Sequence, residues 1–173
     1  MSKPPKPTKS AKPAKRGRKS FTEKLQNDHG LPKVEPIPAN APAHWGKGTL
    51  VIAAPREVNA LMLQVGKGKL TTIDELRRAL ARHHGASVAC PMTTGMFANF
   101  AAHAAEEAAA AGKQRITPYW RTLKTGGELN GKFPGGLAVL RSRLEGEGHV
   151  VVSRGKRMFV VDYEQRLAKL EAK

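Results

Sequence analysis

The chain has 173 residues, of which 40% are hydrophobic, and a formal net charge of +16, enough for one buried core but hardly two full domains. An acidic polyanion is the first partner to consider, and nucleic acid fits best; no run approaches the roughly 20 apolar residues of a spanning helix, and the basic stretches lack the interleaved large apolar residues of a membrane-surface helix. The single cysteine, Cys90, excludes an intramolecular disulfide and a Cys-rich metal site, and a positive start without an apolar segment behind it points to the cytoplasm and to the nucleoid.

Residues 1–20 contain eight Lys or Arg, four Pro and no acid. Such a segment buries too little to offset its ordering entropy, so a disordered basic arm that neutralises phosphates is expected. Residues 21–48 are turn-rich, with Pro32, Pro36, Pro38 and Pro42, and predict an extended lead-in that packs Trp45 near the core. From residue 49 to 173 a single domain is expected. TLVIAA at 49–54 reads as a short buried strand. Val58, Leu61, Met62 and Val65 have helical spacing behind Pro55. Thr72 and Glu75 have the spacing of a capping box, and Ile73, Leu76 and Leu80 give the apolar stripe of a helix stopping at Gly85.

That helix exposes Arg77, Arg78, Arg82 and the pair His83 and His84. Residues 87–111 predict a second, Ala-rich helix with an interruption at Pro91 or Gly95, and two helices across a Gly turn are compatible with a helix-turn-helix. Residues 116–136 read as a Gly-rich loop. Residues 137–148 predict a short helix with Leu137, Leu140 and Leu144 inward. The alternating stretch around Arg154-Gly155-Lys156 predicts a β-hairpin with a basic tip, extended by Arg157. A hairpin after a helix-turn-helix is the layout of a winged helix. The last ten residues predict a terminal helix.

The order Pro118-Tyr119-Trp120-Arg121, then Gly126-Gly127, Gly131, Phe133-Pro134-Gly135-Gly136-Leu137-Ala138-Val139 and Glu147-Gly148-His149 resembles the O6-alkylguanine-DNA alkyltransferases, also called methylated-DNA-protein cysteine methyltransferases. In that family a Pro-Cys-His-Arg motif precedes a Gly-containing loop, an aromatic-x-Gly-Gly turn and a helix ending in Glu-Gly. The resemblance extends loosely over residues 50–150, and the family's separate N-terminal domain has no room here. It implies a mainly α fold with a small β component: a winged helix-turn-helix like the family's C-terminal domain, plus the basic arm. Within the family it points to the alkyltransferase-like branch, which lacks the motif cysteine.

The resemblance makes Pro118, Tyr119, Trp120, Arg121, Phe133, Pro134, Gly135 and Gly136 candidates for a lesion pocket, with Tyr119 filling it or stacking on a flipped base. Arg77, Arg78, Arg82, Arg154, Lys156 and Arg157 are candidates for the DNA backbone. The family's chemistry needs a thiolate held by the neighbouring histidine. Here Tyr119 and Trp120 stand in those positions. A phenol with an ordinary pKa near 10 beside an indole that cannot act as a base leaves no route to alkyl transfer at position 119. Glu147 stands where the family's glutamate supports that histidine, and Ile73 where a tyrosine helps rotate the target nucleotide. No arginine occupies 85–88, where the family inserts a finger, and Glu106 and Glu107 would repel a phosphate they faced.

The resulting expectation is a non-catalytic, monomeric protein without cofactor or metal that binds double-stranded DNA, recognises alkylated guanine and hands it to downstream repair proteins. One alternative is an enzyme that transfers an alkyl group from DNA to Cys90, whose thiol would gain acidity at a helix N-terminus. A buried small hydrophobe is the plainer reading of that cysteine. The other alternative is an architectural nucleic-acid-binding protein reusing the fold. His83, His84, His103 and His149 give no metal-ligand spacing, and no phosphate-loop, nucleotide-fold or Ser-His-Asp signature is present.

Overall fold

The computed structural model of the chain describes residues 17–173, and it is helix-rich with three small sheets. Most of the predicted basic arm, residues 1–16, lies outside the described residues. Ser20, which closes that arm, caps helix α1 (Phe21–Gln26): its hydroxyl accepts from Glu23 N at 3.1 Å while the Glu23 carboxylate accepts from Ser20 N at 2.8 Å.

The extended lead-in expected over 21–48 is therefore a correction. It holds α1, then strand β1 (Lys33–Pro36) and a 3-10 turn at Ala43–Trp45. A six-residue helix is marginal alone, and this one is fixed by a partner far along the chain. Glu107 accepts from Phe21 N at 2.8 Å, Thr22 N at 2.9 Å and the Thr22 hydroxyl at 2.7 Å, and Phe21 stacks on His103. Trp45 stays half-buried and does not pack on the core.

Strand β2 (Thr49–Ile52) pairs antiparallel with β1 and parallel with β4 (Val88–Ala89), in register Leu50 to Val88 and Val51 to Ala89. Helix α2 (Pro55–Leu63) begins at a proline, whose missing N–H costs nothing there, and buries Val58, Leu61 and Met62. Strand β3 (Thr71–Thr72) runs directly into helix α3 (Ile73–His83), with the Thr72 side chain accepting from Glu75 N. Leu76, Ala79, Leu80 and Ala81 point into the core.

Helix α4 (Pro91–Ala110) starts at Pro91 and continues through Gly95 without a break; β4 takes the residues just before it. It buries Phe97, Ala98, Ala101, Ala102, Ala104 and Ala105. Its small side chains let α1, α2 and α3 all pack against it. Strand β5 (Thr122–Leu123) pairs parallel with β3, and helix α5 (Gly136–Gly146) buries Leu140 and Leu144, with Leu137 half-buried.

The predicted hairpin is β6 (Val151–Arg154) and β7 (Arg157–Val160), joined through Gly155 at φ +61° and Lys156. Its alternation places Val151 and Val160 inward. The terminal helix is a second correction. A 3-10 turn at Tyr163–Arg166 is followed by irregular chain, in which Leu70 N donates to Arg166 O and Ala168 N to Leu70 O. Those bonds to the strand region compete with a helical hydrogen-bond pattern. Among the described residues, no helix is long and apolar enough to cross a membrane.

Candidate functional site

The motif segment is positioned from two sides. The β3–β5 pairing, Thr71 to Thr122 and Thr72 to Leu123, fixes the residues just after Arg121 beside the start of α3. On the other side, the turn into α5 uses Gly135 at φ +81° and Gly136 at φ +65°. Two successive left-handed residues suit glycine alone, and a Cβ on Gly135 would lie 2.6 Å from Val139 Cβ.

Tyr119 is fully buried. Its ring meets Trp120 edge-on at 5.5 Å and Phe133 edge-on at 5.8 Å, an arrangement favoured by the ring quadrupoles. Its hydroxyl donates to Glu106 Oε1 at 2.7 Å, with Pro134 O at 3.4 Å. Burial, and then the bond to the Glu106 carboxylate, push the phenol pKa upward, against the smaller opposing pull of Arg143. The phenol is neutral at any physiological pH.

Trp120 donates its indole N–H to Glu147 Oε1 at 2.9 Å, and the Arg143 guanidinium lies 4.5 Å from the Trp120 ring. Arg121 grips both Glu147 oxygens through Nε, at 3.1 and 2.9 Å, adds Nη2 to Oε1 at 2.7 Å, and donates Nη1 to Val65 O at 2.6 Å. Gly68 N also reaches Glu147. Burial pushes the Glu147 pKa up, but the bonds from Arg121, Trp120 and Gly68 outweigh it and hold the carboxyl below its ordinary value. Pro118 precedes the 3-10 turn at Tyr119–Arg121 and accepts from Arg121 N.

The structure thus brings Tyr119, Trp120, Arg121, Phe133 and Pro134 together with four residues that the motif did not assign to this contact: Glu106, Arg143, Val65 and Gly68. Glu106, whose charge would repel a phosphate it faced, instead accepts from Tyr119 and pairs with Arg143 at 3.1 Å. Glu107 caps α1. No spacing rule links 106 to 119 and 143, because the three lie on different elements.

Among the described residues, several surface cavities lie away from this cluster. One of about 640 Å³ runs between α3 and residues 167–172, and one of about 410 Å³ lies beside α1 and α4.

The basic candidates differ in how free they are. Arg77 donates to Ala89 O at 2.9 Å and to Asp74 at 3.1 Å, tying α3 to β4. Arg78 pairs with Glu75, and Arg82 reaches Leu170 O at 3.3 Å. Arg157 pairs with Glu128, which also accepts from Lys124 Nζ at 2.8 Å; these two bonds, Arg157 first, hold the Glu128 carboxyl at a pKa of about 2. Arg154 and Lys156 at the hairpin tip are exposed and form no salt bridge among the described residues. Arg154 lies 5.0 Å from the Phe159 ring.

Cys90 is half-buried at the N-cap of α4. Its backbone is engaged by Val51 O and by the Thr94 hydroxyl, which donates to Cys90 O at 2.7 Å. Among the histidines, His103 stacks on Phe21, and His149 is buried with Nε2 unpartnered among the described residues. His83 and His84 converge instead, and Glu57 joins them from α2.

No protein-family model matches the chain, and no curated protein does. Among solved structures, S. pombe Atl1 in complex with damaged DNA containing O6-carboxymethylguanine is similar over 66% of this chain and 94% of that chain, at 17% sequence identity and a TM-score of 0.48. A likeness at that level assigns neither family nor function.

Proposed function

We propose that this protein is a non-catalytic DNA-binding protein on an alkyltransferase-like scaffold, with α3 and α4 as its helix-turn-helix, β6–β7 as its wing, and alkylated guanine in duplex DNA as its target in repair. The observation that carries the reading is position 119. Where the motif requires a thiolate, a neutral phenol is buried with its proton donated to Glu106, so the scaffold is kept without its nucleophile. The charge of +16 and the unpaired hairpin tip support a polyanionic partner. Arg154 and Lys156 would neutralise phosphates without reading sequence.

The test is a competition at fixed salt among duplexes carrying O6-methylguanine, an abasic site or no lesion, with wild type and Phe133→Ala side by side. Lesion recognition predicts tighter binding to the O6-methylguanine duplex, lost in Phe133→Ala. Equal affinity for all three overturns it. Intact-mass measurement after incubation with the lesion duplex completes the test: a methyl adduct that disappears in Cys90→Ser would overturn the non-catalytic reading.

One observation favours a second reading, an architectural protein that binds duplex without extruding a base. Tyr119 is 0% and Phe133 3% exposed, and the edge-on packing of their rings leaves no slot for a base unless they move. Under this reading affinity depends on Arg154 and Lys156 and is indifferent to Phe133.

A further inference from the structure

Neighbouring residues on an α-helix point about 100° apart around its axis, so two histidines in sequence do not ordinarily share a site. At the end of α3 they do. His83 is the last helical residue and His84 the cap, with Gly85 in the left-handed region at φ +60°. Leaving the helix there lets the two rings meet edge-on, with centroids 4.7 Å apart. Glu57 reaches them from α2. Its Oε1 lies 2.7 Å from His84 Nε2, and one ligating atom from each of Glu57, His83 and His84 falls within 4.8 Å of the others.

Three further features suit a cation at this point. The Glu57 carboxylate is already oriented by its other oxygen, which accepts from Ala54 N at 2.7 Å, the kind of outer hydrogen bond that fixes a metal ligand. His83 and His84 sit at the C-terminal end of α3, where the helix dipole favours positive charge, and Glu57 meets them from the first turn of α2. The neighbouring Arg82 guanidinium donates to Leu170 O. His83 is exposed while Glu57 and His84 are half-buried, so one ligand is free to swing and one side of the site is open to water.

We propose that Glu57, His83 and His84 form a binding site for a divalent transition-metal ion, zinc in the first instance, which ties α2 to the end of α3. Two imidazoles and a carboxylate are a zinc-type donor set with a fourth position left for water. Ligands about 2.0–2.1 Å from a tetrahedral zinc lie about 3.3 Å from one another. The His84–Glu57 contact would open slightly and the exposed His83 would close in. The site lies outside the Tyr119–Glu147 cluster, and its proposal is independent of DNA binding.

The experiment uses the full chain without an affinity tag, stripped with a chelator. Zinc is titrated against a chromophoric competitor, cobalt is followed by its visible absorption, and thermal unfolding is recorded with and without zinc. One equivalent of zinc should bind, cobalt should give a tetrahedral-type visible spectrum, and Tm should rise with zinc concentration as expected for a ligand of the native state. His83→Ala and Glu57→Gln should each weaken zinc binding by at least about tenfold and abolish the Tm rise, while His44→Ala changes neither. His83 is exposed, so its removal leaves the fold intact. Absence of stoichiometric binding, or equal binding by wild type and His83→Ala, overturns the proposal.

Discussion

Arg121 and Arg157 are both arginines hydrogen-bonded to a glutamate, and they sit in opposite surroundings. The Arg121 and Glu147 side chains are 13% and 10% exposed, and Glu147 also takes the Trp120 indole and Gly68 N. In the Arg157–Glu128 pair the glutamate is as buried, at 11% exposed, but the arginine side chain is 63% exposed. The first pair joins the motif turn to the end of α5, and, through the Arg121 bond to Val65 O, to the chain after α2. The second fastens the hairpin to the loop before Leu129. The same chemical pair is a tertiary clamp in one place and a tether at the surface in the other, because water reaches the arginine in only one of them.

Removing a partner should separate the two most clearly. Glu147→Ala leaves the Arg121 guanidinium with Val65 O as its one acceptor and strips the Trp120 indole N–H of its partner, and is expected to cost about 3–5 kcal/mol in urea unfolding. A loss under about 1 kcal/mol would mean that burial does not distinguish this pair from the surface one. Tyr119→Phe keeps the ring packing and removes only the donor to Glu106, which retains Arg143. A loss of about 1–2 kcal/mol is expected by the same assay, and a larger one would place Glu106, rather than the rings, at the centre of the cluster.

Arg157→Ala should change stability by no more than about 1 kcal/mol. It should raise the pH at which Glu128 titrates, measurable by NMR, although Lys124 remains. Glu128 has a folded pKa of about 2 against an ordinary 4.5, so its contribution is present above about pH 4.5 and lost as pH falls toward 2. If Arg157 also meets phosphate, the slope of log affinity for duplex DNA against log salt should flatten by about one unit in the same variant.

The smallest effect concerns His149, beside the clamp. Burial lowers its pKa below 6.5, with Arg166 and Arg121 acting in the same sense and Glu147 against them. The unfolded chain then binds the proton first. Stability should decline as pH falls below about 6.5, and His149→Leu should remove that part of the decline in Tm measured between pH 7 and 5. An unchanged profile would assign the acid sensitivity to other groups.

Local signals carried much of the fold. Proline at the start of α2 and α4, the Thr72 cap, the leucine stripe of α3 and the Gly155 turn are each specified within a few residues. What failed were α1 and the segment after Tyr163. The first is held by Glu107 from 85 residues away, and the second by Leu70. No pattern inside either segment encodes those bonds.

The candidate site divides in the same way. The motif order from Pro118 to His149 was legible in sequence and told which residue types would meet. It could not tell that Tyr119 is sealed, that Glu106 serves it, or that Glu57 joins His83 and His84. Charge, periodicity and turn chemistry are properties of neighbours along the chain, and the sequence determined them alone. Burial and the pairing of distant carboxylates depend on which surfaces are pressed together, and only the tertiary structure decided those.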